Sequence, residues 1–314
     1  MVSSSKEVNK NTKVSLPRRR MNPIARREMI AAFLFLLPTV LGFVIFIAGP
    51  LIASISLSFF RWDIFHPAKF IGLENYKSLF REPRALIILR NTLFFTGGAV
   101  SLNLAIALLL ALAINRKLCA VLRYFFRTTY FFPVITSLAS VSIIWQFLLN
   151  SEFGPINYYL VQLGLPRIRW ITSSRWALRS LILLDVWKNV GFNMVLFLAG
   201  LQNIPRQLYE AATVDGASRL QKFWSITLPM LSPTTFFATI IAFIGSLQIF
   251  DSPFVITAGG PGDSSRTLVM YIYENGFRFF KMGYASAVAM LLFVVILTLT
   301  VIQFKLGKIW VFYR

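Results

Sequence analysis

With 314 residues, 56% of them hydrophobic, and a mean hydropathy of +0.66, the chain is too apolar for an ordinary soluble domain. Its 32 Lys and Arg against 12 Asp and Glu give a formal charge of +20, and its one cysteine excludes an intrachain disulfide framework. The basic excess lies in segments between long apolar blocks with no base-stacking motif. It is therefore assigned to membrane topology and anionic lipid head groups, not to nucleic acid.

In chain order, residues 1–28 are polar and basic and predict a cytoplasmic segment that frays or lies on the membrane surface. Apolar blocks follow at about 30–58, 91–114, 129–149, 178–202, 232–256 and 284–304. Each approaches the roughly 20 residues a helix needs to cross the hydrocarbon layer. Helices satisfy their own backbone there, so the expected fold is an all-α polytopic membrane protein with six transmembrane helices. The first block is too long for the apolar part of an export signal and no A-x-A pattern follows it, so it is expected to stay as an anchor. With the amino terminus in the cytoplasm, the inner segments (1–29, 115–127, 205–224 and 305–314) carry 18 Lys and Arg. The longer outer segments (61–90, 150–177 and 257–283) carry 12, which favours that orientation.

The first outer loop, "RWDIFHPAKFIGLENYKSLFREPRAL" (61–86), mixes charges with aromatic rings and holds His66, the sole histidine, with no visible metal partner. The second contains "GPINYYLVQLGLP", which reads as a short interfacial helix. The third begins with a glycine turn at 257–262. It continues into an aromatic-rich helix, with Tyr271, Tyr273, Phe277, Phe279 and Phe280, suited to the head-group layer. Cys119 falls in an inner loop and needs no special role.

Ionisable chemistry inside the blocks is sparse. The fourth holds Asp185 and Lys188 three residues apart, with Asn189 beside them and Asn193 one turn on. The fifth holds Ser246, Gln248 and Asp251. Such groups face a cavity or a neighbouring helix. For Asp185 and Lys188 the plainer account is an interhelical hydrogen bond or an Asp–Lys pair joining two spans.

Between the fourth and fifth blocks lies "EAATVDGASRLQKFWSITLP" (210–229), polar where its neighbours are not. Pro205 can open a helix, and Leu208, Ala211 and Ala212 give it an apolar side opposite Arg206, Gln207 and Glu210. Gly216, next to Asp215, ends it at a turn needing positive φ. Ala217 to Trp224 reads as a second short helix, apolar at Leu220, Phe223 and Trp224. Leu228-Pro229 and Pro233 lead into the fifth block. The result is a two-sided helix–turn–helix on the inner face.

At these residues the chain resembles the permease subunits of ABC importers. Glu210-Ala211-Ala212, Gly216, Ile226 and Leu228-Pro229 stand at every fixed position of their EAA signature. The surrounding "LAGLQNIPRQLYEAATVDGAS", "FDSPFVITAGGPG" and "GYASAVAMLLF" are similar to carbohydrate-uptake permeases of the maltose, glycerol-phosphate and multiple-sugar type. "TAGGP" (257–261) resembles the subunit corresponding to the larger maltose permease. "FIGLENY", "RNTLFFT" and "FRTTYFFP" extend the likeness over nearly the whole chain after residue 28.

The resemblance implies a type I importer permease fold in a bacterial inner membrane. It also implies a heterodimer with a second permease, a pair of ATPase subunits holding ATP and magnesium, and an extracytoplasmic solute-binding protein. Glu210, Ala211, Ala212, Asp215, Gly216, Leu228 and Pro229 would form the ATPase contact, with Glu210 pairing to a basic residue. Ser246, Gln248, Asn189 and Asn193 are the expected contacts to a di- or oligosaccharide or a glycerol derivative. The chain has no G-x-x-x-x-G-K-[ST] phosphate loop, so it is expected to bind no nucleotide and to catalyse nothing itself. A secondary transporter is the alternative, but it would need an acidic relay inside the membrane. A membrane enzyme would need clustered acids, a metal motif or a nucleophile, none of which is visible.

Overall fold

The computed structural model describes residues 23–116 and 119–312. Of the segment expected to fray, residues 1–22 lie outside the described residues, while 23–28 already belong to a helix. The chain forms two compact units, Met1–Ala53 and Ser54–Arg314.

In the first unit, helix α1 (Pro23–Phe43) passes through a π turn (Val44–Ala48) into α2 (Gly49–Leu57), which ends in the second unit. Phe33, Phe35 and Phe46 are exposed, as suits a helix whose surroundings are lipid or another subunit.

The second unit opens on a two-strand antiparallel pair, β1 (Phe60–Arg61) and β2 (Lys69–Phe70), absent from the expectation for this loop. Helix α3 (Glu74–Arg81) follows, tied back where Asn75 Nδ2 donates to the carbonyls of Ser58 and Phe60. Helix α4 (Pro83–Ile114) begins on a proline, whose missing N–H costs nothing in a first turn. It therefore starts earlier than the apolar block at 91–114. It packs along α8 (Ala177–Gln202). Ala99, Ala107 and Ala111 let the two backbones close up, and Leu181, Leu184, Met194 and Phe197 fill the core.

The third block is not one straight span. It divides into α5 (Ala120–Ile135) and α6 (Leu138–Leu148), bent by 100° at Thr136 and Ser137. Beyond the Thr136 N–H (3.3 Å) and Oγ1 (2.6 Å), which both reach the Pro133 carbonyl, the last carbonyls of α5 lack helical donors, a serious cost away from water. Lys188 of α8 supplies the donors: its Nζ reaches the carbonyls of Pro133 (3.0 Å), Val134 (3.3 Å) and Thr136 (2.7 Å). Gly191 makes this reach possible, because a Cβ there would stand 1.9 Å from the Tyr130 carbonyl oxygen. Of the two accounts expected for Asp185 and Lys188, the interhelical hydrogen bond is found and the ion pair is not: Lys188 donates across to the end of α5, and Asp185 accepts from Asn189 Nδ2 at 3.0 Å.

After α7 (Pro155–Gln162) and α8 come α9 (Arg206–Val214), α10 (Arg219–Lys222), a π turn (Phe223–Thr227) and α11 (Leu228–Met230). Helix α12 (Ser232–Leu247) follows a 61° bend and stops well short of 256, giving way to irregular chain and a π turn at Pro253–Thr257. Helix α13 (Leu268–Tyr273), another π turn (Glu274–Arg278) and α14 (Met282–Trp310) complete the unit. Four helices, at 27–57, 83–114, 177–202 and 282–310, are long and apolar enough to cross a membrane, and the two bent pairs raise the number to as many as six.

The loop beyond α12 is bound down by charge. Arg84 Nε meets Asp263 Oδ2 at 2.9 Å, Arg266 pairs with Asp263, and Arg266 Nε lies 3.0 Å from Glu274 Oε2. Asn91 Nδ2 donates to the Asp263 carbonyl at 2.6 Å, and the Leu268 N–H to Thr92 Oγ1 at 2.9 Å. Tyr271, expected at the head-group layer, is instead buried, its hydroxyl donating to Glu82 Oε2 at 2.8 Å beside that of Tyr284 at 2.6 Å. Phe277, Phe279 and Phe280 do remain exposed.

Candidate functional site

Two features concentrate the residues singled out in the sequence. At one end of α12 stands a knuckle made of α9, α10 and the turn between them. Gly216 takes φ +76°, and the chain closes there with the Ala217 N–H on the Ala212 carbonyl (2.9 Å) and the Gly216 N–H on the Thr213 carbonyl (3.1 Å). These are the two bonds of a Schellman motif, which satisfies the last carbonyls of α9. Ser218 and Gln221 then start α10 with a reciprocal capping box. Lys222 Nζ reaches back to Thr213 Oγ1 at 2.7 Å, fastening the second helix to the first.

One side of this knuckle is keyed into the helical core. Leu208, Tyr209, Ile226 and Met230 pack against the cluster around Met194, Phe197 and Leu231, and Tyr209 Oη lies 2.9 Å from Thr227 Oγ1. Leu228, Pro229 and Ala212 are half-buried, and Glu210, Asp215 and Gly216 are exposed. Ala211 does not join the inward side with Leu208 as its spacing suggested; it is exposed. Leu220 and Trp224, read as the apolar side of the second helix, are also exposed; the helix ends at Lys222, and Trp224 belongs to the π turn beyond it. Among the described residues, neither Glu210 nor Asp215 is in an ion pair. The knuckle thus has a preformed backbone, a fixed inner side, and an outward side with two free carboxylates among exposed apolar groups.

The second feature is a cavity of about 450 Å³ between α4, α8, α12 and the α5–α6 break. All four residues expected on a solute path line it: Asn189, Asn193, Ser246 and Gln248. Asn193 and Ser246 are buried, and Gln248 is exposed within the wall. Asp185, Lys188 and Asp251 line it too. Sequence reasoning missed Asn103, which accepts from Asn193 Nδ2 at 2.7 Å and joins α4 to α8 across the wall. Its polarity within an apolar block was the available signal. Polar groups convergent on a cavity among apolar walls are what a hydroxyl-rich solute needs. No group of three or more His, Cys, Asp or Glu suited to a metal ion occurs among the described residues.

Residues 103–308 match the family described as the binding-protein-dependent transport system inner membrane component. The chain belongs to this family. It is therefore a multi-pass membrane permease, the non-catalytic part of an ABC transporter. The family's relatives include the arabinooligosaccharides transport system permease AraP of Bacillus subtilis. It is 36% identical over 279 residues, covering 88% of each chain. The trehalose/maltose transport system permease MalF of Thermococcus litoralis is 34% identical over 285 residues, covering 90% of this chain and 95% of that one. Among solved structures, a bacterial ABC transporter involved in importing the acidic polysaccharide alginate is similar at 27% identity and a TM-score of 0.79. That match covers 91% of this chain and 96% of that one. The permease fold expected from the EAA signature is thus the fold of the chain.

Proposed function

We propose that this chain is one of two different permease subunits enclosing the path of a sugar importer, for a di- or oligosaccharide or a glycerol derivative. Its amino terminus lies in the cytoplasm and its knuckle docks in a cleft of an ATPase dimer that holds the ATP and magnesium. The observation that carries this reading is the knuckle itself. It is a self-capped helix pair keyed to the core on one side and exposing Glu210 and Asp215 on the other. Glu210 pairs there with a basic group of the ATPase, and Ala211, Ala212 and Gly216 keep the docking face small.

The mechanism follows from how the knuckle is attached. Its bonds to the rest of the chain run through Tyr209–Thr227 and through the packing of Leu208, Ile226 and Met230 on α8. A closing ATPase dimer therefore displaces α9 as a rigid piece, and with it the lower ends of α8 and α12, both of which line the cavity. Rigid-body motion of this type switches access between two discrete states. An extracytoplasmic binding protein delivers the solute to the opposite end.

The test is reconstitution of the chain with its partner permease in proteoliposomes, with and without the ATPase and the solute-binding protein. Uptake that needs all components and ATP supports the reading. Uptake by the permease pair alone, driven by an ion gradient, would instead make the chain a secondary transporter using Asp185 and Asp251.

A further inference from the structure

The relatives of this chain handle both neutral and acidic saccharides by name, so membership in the family leaves open which charge class this chain accepts. The cavity wall speaks to that choice. It carries two carboxylates, Asp185 and Asp251, and one cation, Lys188. Lys188 has its three N–H groups directed at the carbonyls of Pro133, Val134 and Thr136. An ammonium has only three donors, so none is left to clasp an anionic solute. Neither carboxylate is in an ion pair among the described residues.

A second, independent observation lies one turn below Asn189. Asn193 is 4% exposed and gives its Nδ2 to Asn103, yet its Oδ1 has no hydrogen-bond partner. A buried acceptor without a donor costs roughly 1–3 kcal/mol unless a ligand or water supplies one. Asp185, Asp251 and Asn193 Oδ1 together make a wall that asks for donors. Sugar hydroxyls donate, and so do ammonium groups. Carboxylates, sulfonates and phosphates only accept, and would meet two carboxylates against one ammonium whose donors are already committed.

We infer that this cavity selects uncharged or cationic saccharides and excludes acidic ones, through the Asp185 and Asp251 carboxylates and the free acceptor of Asn193. The inference rests on the reading of the cavity as the solute path, and its test must not depend on uptake. Gln248→Cys, in a Cys119→Ser background, places one thiol in the wall of the complex purified with its partner subunits. Its modification rates by a cationic (trimethylammonium) and an anionic (sulfonate) ethyl methanethiosulfonate are each divided by the rate with free 2-mercaptoethanol. The cationic reagent is expected to be favoured roughly tenfold, because carboxylates outnumber the one ammonium in the wall. Asp185→Asn and Asp251→Asn should each reduce that ratio. A ratio at or below one, or a ratio unmoved by both substitutions, overturns the inference. If the ATPase fails to co-purify, the importer reading fails instead, while the thiol ratio still reports on the cavity.

Discussion

The loop after α12 and the knuckle before it sit at opposite ends of one helix about 24 Å long, and they handle charge in opposite ways. Beyond α12, Asp263 and Glu274 are paired with Arg84 and Arg266, and Glu274 is 3% exposed. Before α12, Glu210 and Asp215 are exposed without an ion partner, although Arg206, Arg219 and Lys222 are near in sequence. Both segments are polar interruptions between apolar helices. The first closes upon itself and fixes the end of the bundle. The second is capped in its backbone and leaves its carboxylates exposed without ion partners, which is what the proposed docking on an ATPase requires.

Substitutions can break or sharpen this contrast. The largest effect on stability is expected from Arg266→Met, which leaves buried Glu274 with only a distant guanidinium. Removing one partner of a buried pair costs about 3–5 kcal/mol, so the complex in detergent should melt several degrees lower. Gly216→Val comes next. A β-branched residue at φ +76° is strained by roughly 1–2 kcal/mol, to be read as faster proteolytic nicking of the knuckle while the rest of the chain stays folded. Ser218→Ala removes one half of the capping box and should cost about 1 kcal/mol in the same assay. Glu210→Lys sits at the other extreme. On an exposed site it should change stability by less than about 0.5 kcal/mol, yet lower ATPase stimulation and uptake at least tenfold. If Glu210→Lys destabilised the fold as much as Arg266→Met, the two segments would not differ in kind.

The sequence was legible where the code is local. Pro205, Gly216 and the spacing of Leu208 placed α9 and its turn, because caps and positive φ are set by neighbours within a few residues. The apolar blocks placed the long helices for the same reason. Legibility failed where a helix depends on a residue far along the chain. The break between α5 and α6 is sustained by Lys188, more than fifty residues away, and a period-based reading joins the two halves into one span. An interhelical bond at Lys188 was one of two accounts open from the sequence, but its partners were not legible, because backbone carbonyls are invisible to a charge count. Asn103 likewise gains its meaning only from Asn193, 90 residues on. Tyr271 shows the same limit, since an aromatic ring suits a head-group layer until Glu82 is found beneath it.

The most direct measurement uses the exposed Ala211 of the knuckle. Ala211→Cys in a Cys119→Ser background gives one thiol on its outward side, to be labelled with a maleimide in the permease pair alone and in the pair bound to its ATPase. The account expects the labelling rate to fall at least tenfold when the ATPase binds, with no such protection for a thiol at the exposed Arg278 beyond α12. Equal labelling of Ala211→Cys in both states would contradict it.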